Sequence, residues 1–390
     1  MILENYRFLY VPVEGTQLDL LWGLLELGVN TKSYPEVCPV AEYDQEQVEA
    51  LMEGLGDAEI ILTLRFSMVV AEACYRKQRL YISWIWDSPQ KELYVQEAKY
   101  ETNRIFVFDH KQQKRLLDFG LKNVFYEPLA VNLTRISAIQ IMDEDNHRFS
   151  NQIAFVGNLR RVEQRERFLE SLQGRAGEYI KENIEKEIGT WGHDLSLYQS
   201  GEDELFAQIN KGIVKDSVDL CVPDKYLVQT MFSDEISYRD RIIVLNTLAR
   251  AFQIALYTQD GMDDPNIDQA VYRYPQVSYD VEMTKVFHLS KINLNVTKRS
   301  IEDGVPLRVF DIMGAGGFAL SDERTGIREL FEVGKEIETY SCIEELEEKT
   351  AFYLIHEQKR IKIAYQGYQK VKENHTYPEA LKRMLSVINI

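Results

Sequence analysis

The chain has 390 residues, enough for two domains. Hydrophobic residues make up 45% of it and charged residues 27%, a mix that can bury large cores and still cover them with charge. The formal charge of -17 repels phosphate backbones and argues against nucleic-acid binding, although a local group of Lys and Arg can still hold a small anion.

The N-terminal half alternates strand and helix patterns. Tyr6 to Val13 is a short apolar run closed by Pro12 and Gly15. Its opening residues lack the basic head and long apolar stretch of a signal peptide, so they read as a first strand. Gln17 to Leu27 carries apolar residues at helical spacing, and Gly28 stops it. Glu59 to Leu64 reads as a buried strand, Met68 to Lys77 as a helix, and Leu80 to Trp86 as a strand ending at Asp87-Ser88-Pro89. Arg104 to Phe108 is the next strand, Gln112 to Phe119 the next helix, and Val124 to Leu129 one more strand. This alternation predicts an α/β fold with a mainly parallel sheet covered on both faces.

The polar stretch from Met142 to Gln152 predicts a boundary, dividing the chain into 1–148 and 149–374, with 375–390 as a closing helix. Ile153 to Val156 opens the second half, and a charged helix follows from about Val162. Asp203 to Lys215 and Ile236 to Arg250 read as helices, Gln253 to Thr258 and Lys291 to Val296 as strands. Pro306 starts a helix that runs to Met313, where a missing N–H costs nothing. Gly314, Gly316 and Gly317 end it, and Phe318 to Ser321 is a strand. Glu344 to Leu354, Lys359 to Asn374 and Pro378 to Ile388 read as helices. In open parallel sheets, ligands sit beyond the carboxyl ends of the strands, so two such domains suit a reaction in the cleft between them.

No run approaches the roughly 18 apolar residues of a membrane span. Cys38, Cys74, Cys221 and Cys342 are scattered without a CxxC, which predicts reduced thiols and a cytoplasmic setting. No histidine pair has metal-ligand spacing, so no metal is expected. The number of subunits has no signature in the sequence.

Several segments could carry chemistry. In FVGNLRR, a strand ends at Gly157 and Asn158, and Arg160 and Arg161 follow. Glycine admits a ligand close to the backbone, and the arginines suit a diphosphate. An ordinary loop with solvated arginines reads equally well. A strand closing at Asn295 is followed by Lys298, and Arg308 falls just inside the proline-started helix. A cation there opposes the helix dipole by about 0.3–1 kcal/mol, and an anion at the same place would reverse the balance. Asp311 lies one turn on and could hold sugar or ribose hydroxyls; the bland reading is a surface pair with Arg308. The GAGG turn lacks the dinucleotide-binding glycine spacing. In WIWDSP, Trp84 and Trp86 share one face and Asp87 closes the strand as a candidate acceptor-side residue, while two core tryptophans and a turn-forming Asp read at least as well for Trp84. In FDH, Asp109 and His110 follow a strand end, where either could serve catalysis, and Asp109 reads more simply as a turn cap. Tyr257 and Thr258 close their strand at a plausible base-binding loop.

The segments SKINLNVT, GVPLRVFDIMGAGGFALSD, ELFEVGKEIETY and IAYQGYQKVKENHTY resemble the glycosyltransferase-like family of spore maturation proteins typified by CgeB. LYISWIWDSP, RIFVFD and EPLAVN resemble the domain that commonly precedes it. The resemblance implies two Rossmann-like domains facing across a cleft, the GT-B plan. It implies a metal-independent transfer of a sugar from a UDP-, GDP- or dTDP-sugar, with the donor on the C-terminal domain and the acceptor on the N-terminal one. The acceptor is left open, and a glycan, a protein or a small molecule all fit. Arg308, Lys298, Asp311 and Asp87 are then the catalytic candidates. Gly157, Asn158, Arg160, Arg161, Tyr257, Thr258, Asn295, Gly314, Gly316 and Gly317 are the donor-binding candidates. Related retaining enzymes carry two acids separated by seven residues. With Asp311 as the first, the second position falls on Ala319, so the second acid is missing there, and Asp322, Glu323 or Glu329 could stand in for it. That gap keeps a non-catalytic binding or assembly module of the same fold as the alternative, with a nucleotide-sugar epimerase behind it.

Overall fold

A computed structural model describes residues 6–14, 18–39, 43–172, 174–195, 209 and 224–390. The helix expected at Asp203 to Lys215 falls largely outside them, as does Cys221.

The first half forms β1 (Arg7–Tyr10), α1 (Asp19–Glu26), β2 (Asn30–Ser33), α2 (Gln45–Gly54), β3 (Ile60–Leu64), α3 (Met68–Lys77), β4 (Leu80–Ile85), β5 (Asn103–Val107), α4 (His110–Asp118) and β6 (Val124–Tyr126). Two short helices, α5 (Leu133–Ser137) and α6 (Asp143–Phe149), lead into the second half. There follow β7 (Ile153–Val156), α7 (Glu163–Ser171), α8 (Gly174–Glu187), α9 (Asp224–Ala249), β8 (Ile254–Thr258), β9 (Tyr272–Pro275), α10 (Glu282–Leu289) and β10 (Ile292–Asn295). The chain ends with α11 (Leu307–Gly314), β11 (Ala319–Asp322), α12 (Thr325–Leu330), β12 (Glu338–Tyr340), α13 (Ile343–Ile355), α14 (Glu357–Asn374) and α15 (Tyr377–Val387).

The strands make two sheets, ordered β2-β1-β3-β4-β5-β6 and β12-β11-β10-β7-β8-β9. Every pairing is parallel. Helices cover both faces, so the inner strands are largely apolar and almost wholly buried. Ile60–Leu64, Ile153–Val156 and Ile254–Thr258 are buried at every residue. Edge strands obey no such demand. NTKS in β2 and YRYP in β9 are mostly exposed, and neither shows an apolar run. The order of the second sheet reverses between β7 and β10, because the chain leaves the sheet in opposite directions after these two neighbours. That reversal opens a crevice at their carboxyl ends.

The two sheets present carboxyl ends to each other. The loop between β10 and α11 reaches the ends of β4 and β5: Ser300 Oγ donates to the Ser88 carbonyl at 2.6 Å, and Glu302 N donates to Asp109 Oδ2 at 2.7 Å. Asp109 is also the N-cap of α4, accepting from Gln112 N at 2.9 Å. A single apolar cluster runs from Phe8 and Trp84 through Val131 to Phe310 and Met384, so the halves share part of their core.

The last helix sits on the first sheet's side of the molecule. Tyr377 meets the Trp84 ring edge-on at 5.4 Å, and Arg383 grips Glu127 at 2.6 and 3.1 Å. Gly23 of α1 makes room for this approach, since a Cβ there would lie 2.6 Å from Tyr377 Cβ. Gly23→Ala should therefore destabilise the fold by about 1–3 kcal/mol through overpacking, outweighing the ~1 kcal/mol that alanine gains in a free helix. Urea unfolding checks this; a gain in stability would show that α15 yields easily.

Candidate functional site

A cavity of about 390 Å³ lies at the β7/β10 reversal. Gly157, Asn158 and Arg160 line it from the end of β7, and Asn295, Thr297 and Lys298 from the end of β10. Pro306 and Arg308 enter from the start of α11, and Gln276, Tyr279 and Met283 close one wall. Thus Gly157, Asn158, Arg160, Tyr257, Asn295, Lys298 and Arg308, all candidates from the sequence, meet around one space.

Local bonding explains their placement. Arg160 adopts a left-handed φ of 66°. The Asp260 carboxylate holds that turn, accepting from Leu159 N at 2.7 Å and Arg160 N at 2.8 Å. Thr258 Oγ1 steadies Asp260 at 2.9 Å and is buried behind the cavity. On the other strand, Asp322 accepts from Thr297 N and Oγ1, each at 2.7 Å, and from Asn295 Nδ2 at 3.3 Å. Asp322 is therefore a brace beneath the site.

Four cations converge. Arg241, from the middle of α9, ties the two strand ends by donating to the Asn158 carbonyl at 2.7 Å and the Val296 carbonyl at 3.2 Å. It is 8% exposed. No carboxylate lies within ion-pair distance of it among the described residues. Burial pulls its pKa down to about 10, and the charge of Arg160 adds to the effect. Burial likewise lowers Lys298, while Asp234 at 2.9 Å opposes the shift. Arg308 donates to Met283 Sδ and stands 3.7 Å from Asp311. Arg160 thus depresses both Arg241 and Lys298, and cations crowded in this way are complementary to an oxyanion. Arg308 at the α11 N-terminus adds backbone N–H groups to the same focus.

Other candidates lie elsewhere. Arg161 turns to Glu166 at 3.1 Å. Gly314 and Gly316 line a separate, mainly apolar cavity of about 590 Å³ at the far end of α11. Gly317 serves packing, as a Cβ there would strike the Phe287 carbonyl at 2.5 Å. Trp84 is a core residue. Asp87 pairs with Arg65 at 3.0 Å on the first half's rim, and its charge is felt by Lys298 across the crevice. Asp311 is no surface residue: it is 2% exposed and stands behind Arg308.

Arg241, Gln276, Tyr279 and Met283 were not expected from the sequence. Arg241 is one of several charges in a long helix and nothing marks it as buried. One acid did have a signal. Counting eight positions back from Asp311, instead of forward, gives Asp303. Asp303 sits where the halves meet and accepts from His110 N at 2.8 Å. Burial and the neighbouring Asp109 carboxylate raise its pKa.

The glycosyl transferase-like family matches residues 241–386, which is less than half of the chain. No curated protein matches the sequence. Solved structures do match over the whole length. The structure of Anabaena Alr3699/HepE in complex with UDP-glucose is 9% identical, covering 98% of this chain and 99% of that one, with a TM-score of 0.58. T4 phage BGT in complex with its UDP-glucose substrate is 10% identical, covering 98% and 100%, with a TM-score of 0.53. The glycosyltransferase from Rickettsia africae is 10% identical over 98% and 97%, with a TM-score of 0.52. The fold is GT-B. The two facing parallel sheets and these full-length likenesses agree on it. Among the described residues, no helix is long and apolar enough to cross a membrane, and no group of His, Cys, Asp and Glu is placed to hold a metal ion.

Burial raises the pKa of Asp311 from its usual 3.8 to about 6, against the pull of Arg308 and Arg135. The folded chain therefore holds this proton longer than the unfolded chain does. Its contribution to stability is present below pH 3.8 and is lost as pH rises through about 6. Asp311→Asn should remove that loss, so the variant gains on the wild type in denaturant unfolding as pH climbs through this window. A constant difference would refute the assignment.

Proposed function

We propose that this chain is a glycosyltransferase that moves a sugar from a nucleotide-diphosphate sugar to an acceptor. The convergence of Arg160, Arg241, Lys298 and Arg308 on one crevice in a GT-B fold carries this reading. In a chain of net charge -17, such a concentration of positive charge calls for an anionic ligand. Several solved structures of similar fold contain UDP-glucose or UDP, which makes UDP-sugars the first donors to test.

In that reaction an acceptor atom bonds to the anomeric carbon and gives up its proton to water or a side chain, while the bond from that carbon to the diphosphate oxygen breaks and negative charge grows on the leaving group. Arg308, Lys298 and Arg160 receive it, with the first N–H groups of α11. Their charge is fixed before the reaction, so little reorganisation is needed. Arg241 sets the spacing of the two strand ends and adds its own charge. Asp311 orients Arg308 from behind. The acceptor approaches from the first half, past Asp87. The 149–374 segment is the donor domain in this reading, and 1–148 the acceptor domain. The resemblance of its C-terminal motifs favours a place beside the CgeB-like proteins. Buried, unpaired Cys38 and Cys74 suit a reducing cytoplasm.

Arg308→Ala should lower turnover by about 10²–10³-fold while leaving the circular dichroism spectrum unchanged. The measurement is release of nucleoside diphosphate from UDP-, GDP-, dTDP- and ADP-sugars, followed by mass spectrometry. Turnover equal to that of the wild type would remove Arg308 from the mechanism.

A further inference from the structure

One wall of the cavity is held by the opposite half of the molecule. Tyr279 lines the cavity. Its hydroxyl donates to Asp19 Oδ2 at 2.7 Å, across 260 residues of sequence. Asp19 lies in the first turn of α1 and is 3% exposed. Its other oxygen accepts from Asn132 Nδ2 at 2.8 Å and Arg135 Nε at 3.4 Å. Arg135 then donates to the carbonyls of Tyr279 and Asp280 at 3.1 and 3.3 Å. Its guanidinium also covers the Tyr279 ring at 4.3 Å. The tyrosine is thus fixed at its hydroxyl, its ring and its carbonyl, each time by groups from outside the second sheet.

A carboxylate buried this deeply is costly to desolvate. Apolar side chains would hold α1 in place more cheaply, and Leu20 and Leu24 of the same helix already do so. What the carboxylate adds is direction, because it dictates where one hydroxyl points. We propose that Asp19 is a positioning residue of the nucleotide cavity: acting through Tyr279, it sets the cavity wall and makes donor binding depend on contact between the halves. The inference rests on the reading above that the cavity takes a nucleoside diphosphate. By linkage, a donor that orders Tyr279 must in turn tighten the contact between α1 and the second half.

Calorimetry with UDP, GDP, dTDP and ADP on the wild type, Asp19→Asn, Tyr279→Phe and the double variant tests it. Tyr279→Phe keeps the ring and its contact with Arg135, so it serves even if Asp19→Asn folds poorly. Each single change should weaken binding of the preferred nucleotide by about tenfold, an ordinary coupling between sites. The double variant should lose no more than the weaker single variant, since both cut one link. Thermal unfolding of the same samples separates a purely structural role. A lowered midpoint with unchanged affinity, or losses that add, would overturn the proposal. If the wild type takes up none of the four nucleotides, the nucleotide reading of the cavity falls and the role of Asp19 falls with it.

Discussion

The loop between β10 and α11 holds the molecule together, and one buried ion pair fixes that loop. Arg299 is 1% exposed, and its Nε meets Asp240 Oδ2 at 2.5 Å. Its Nη2 donates to the carbonyls of Glu187 and Thr190 at 3.0 and 2.6 Å, and its backbone N–H donates to Ser237 Oγ at 2.7 Å. Asp240 spends its second oxygen on Gly189 N at 2.9 Å. Breaking such a pair from one side typically costs about 3–5 kcal/mol, because the remaining charge is stranded. The pair's value lies in where it puts its neighbours. Lys298, one residue before, faces the cavity, while Ser300 and Glu302, just after, reach the carboxyl ends of β4 and β5. One anchored residue thus orients a cation toward the crevice and docks the two sheets.

Charge is distributed by the same logic. The cations away from the crevice are largely neutralised. Arg161 is matched by Glu166, Arg165 by Glu235 and Arg324 by Asp322. In the crevice Lys298 is paired with Asp234 at 2.9 Å, but Arg241 relies on carbonyls and Arg308 stands 3.7 Å from its acid. The residual field therefore points into the cavity, although the whole chain is acidic.

Much of the fold was legible because burial imposes a pattern. β3, β7 and β8 are covered on both faces, and their sequences are apolar runs broken only by Thr63 and Thr258. β2, β9 and β12 were missed because strands at a sheet's edge can be polar or very short, as NTKS, YRYP and ETY are. α10 was missed too; Val281 at its start offers no capping side chain. The site was legible where chemistry follows from position along an element. Gly157, Lys298 and Arg308 stand just beyond strand ends or just inside a helix, and those places converge in this fold. It was not legible where a role depends on tertiary partners. Arg241 and Tyr279 acquire theirs from strand ends and from Asp19, far away in sequence. Gly314 and Gly317 show the reverse, since a glycine pattern that suggests ligand binding here admits Val131 and Phe287.

The polar groups buried between the halves are incompletely satisfied. Asp311 Oδ1 and Arg135 Nη2 lack hydrogen-bond partners among the described residues. Each such group costs about 1–3 kcal/mol. A fold selected for stability alone would pair them or replace them with apolar side chains. Both stand beside Tyr279: Arg135 covers its ring, and Asp311 lies within reach of its hydroxyl. Asp311 also stands behind Arg308, 3.7 Å away. Two such groups thus stand at the seam where the cavity wall, α1 and α11 meet, and Arg241 Nε, on a residue that lines the cavity, is another among those spread through the described residues. A phosphate oxygen in the cavity would supply the partner that Arg241 Nε lacks, whereas Asp311 and Arg135 stand behind the lining and reach a ligand only through Arg308 and Tyr279.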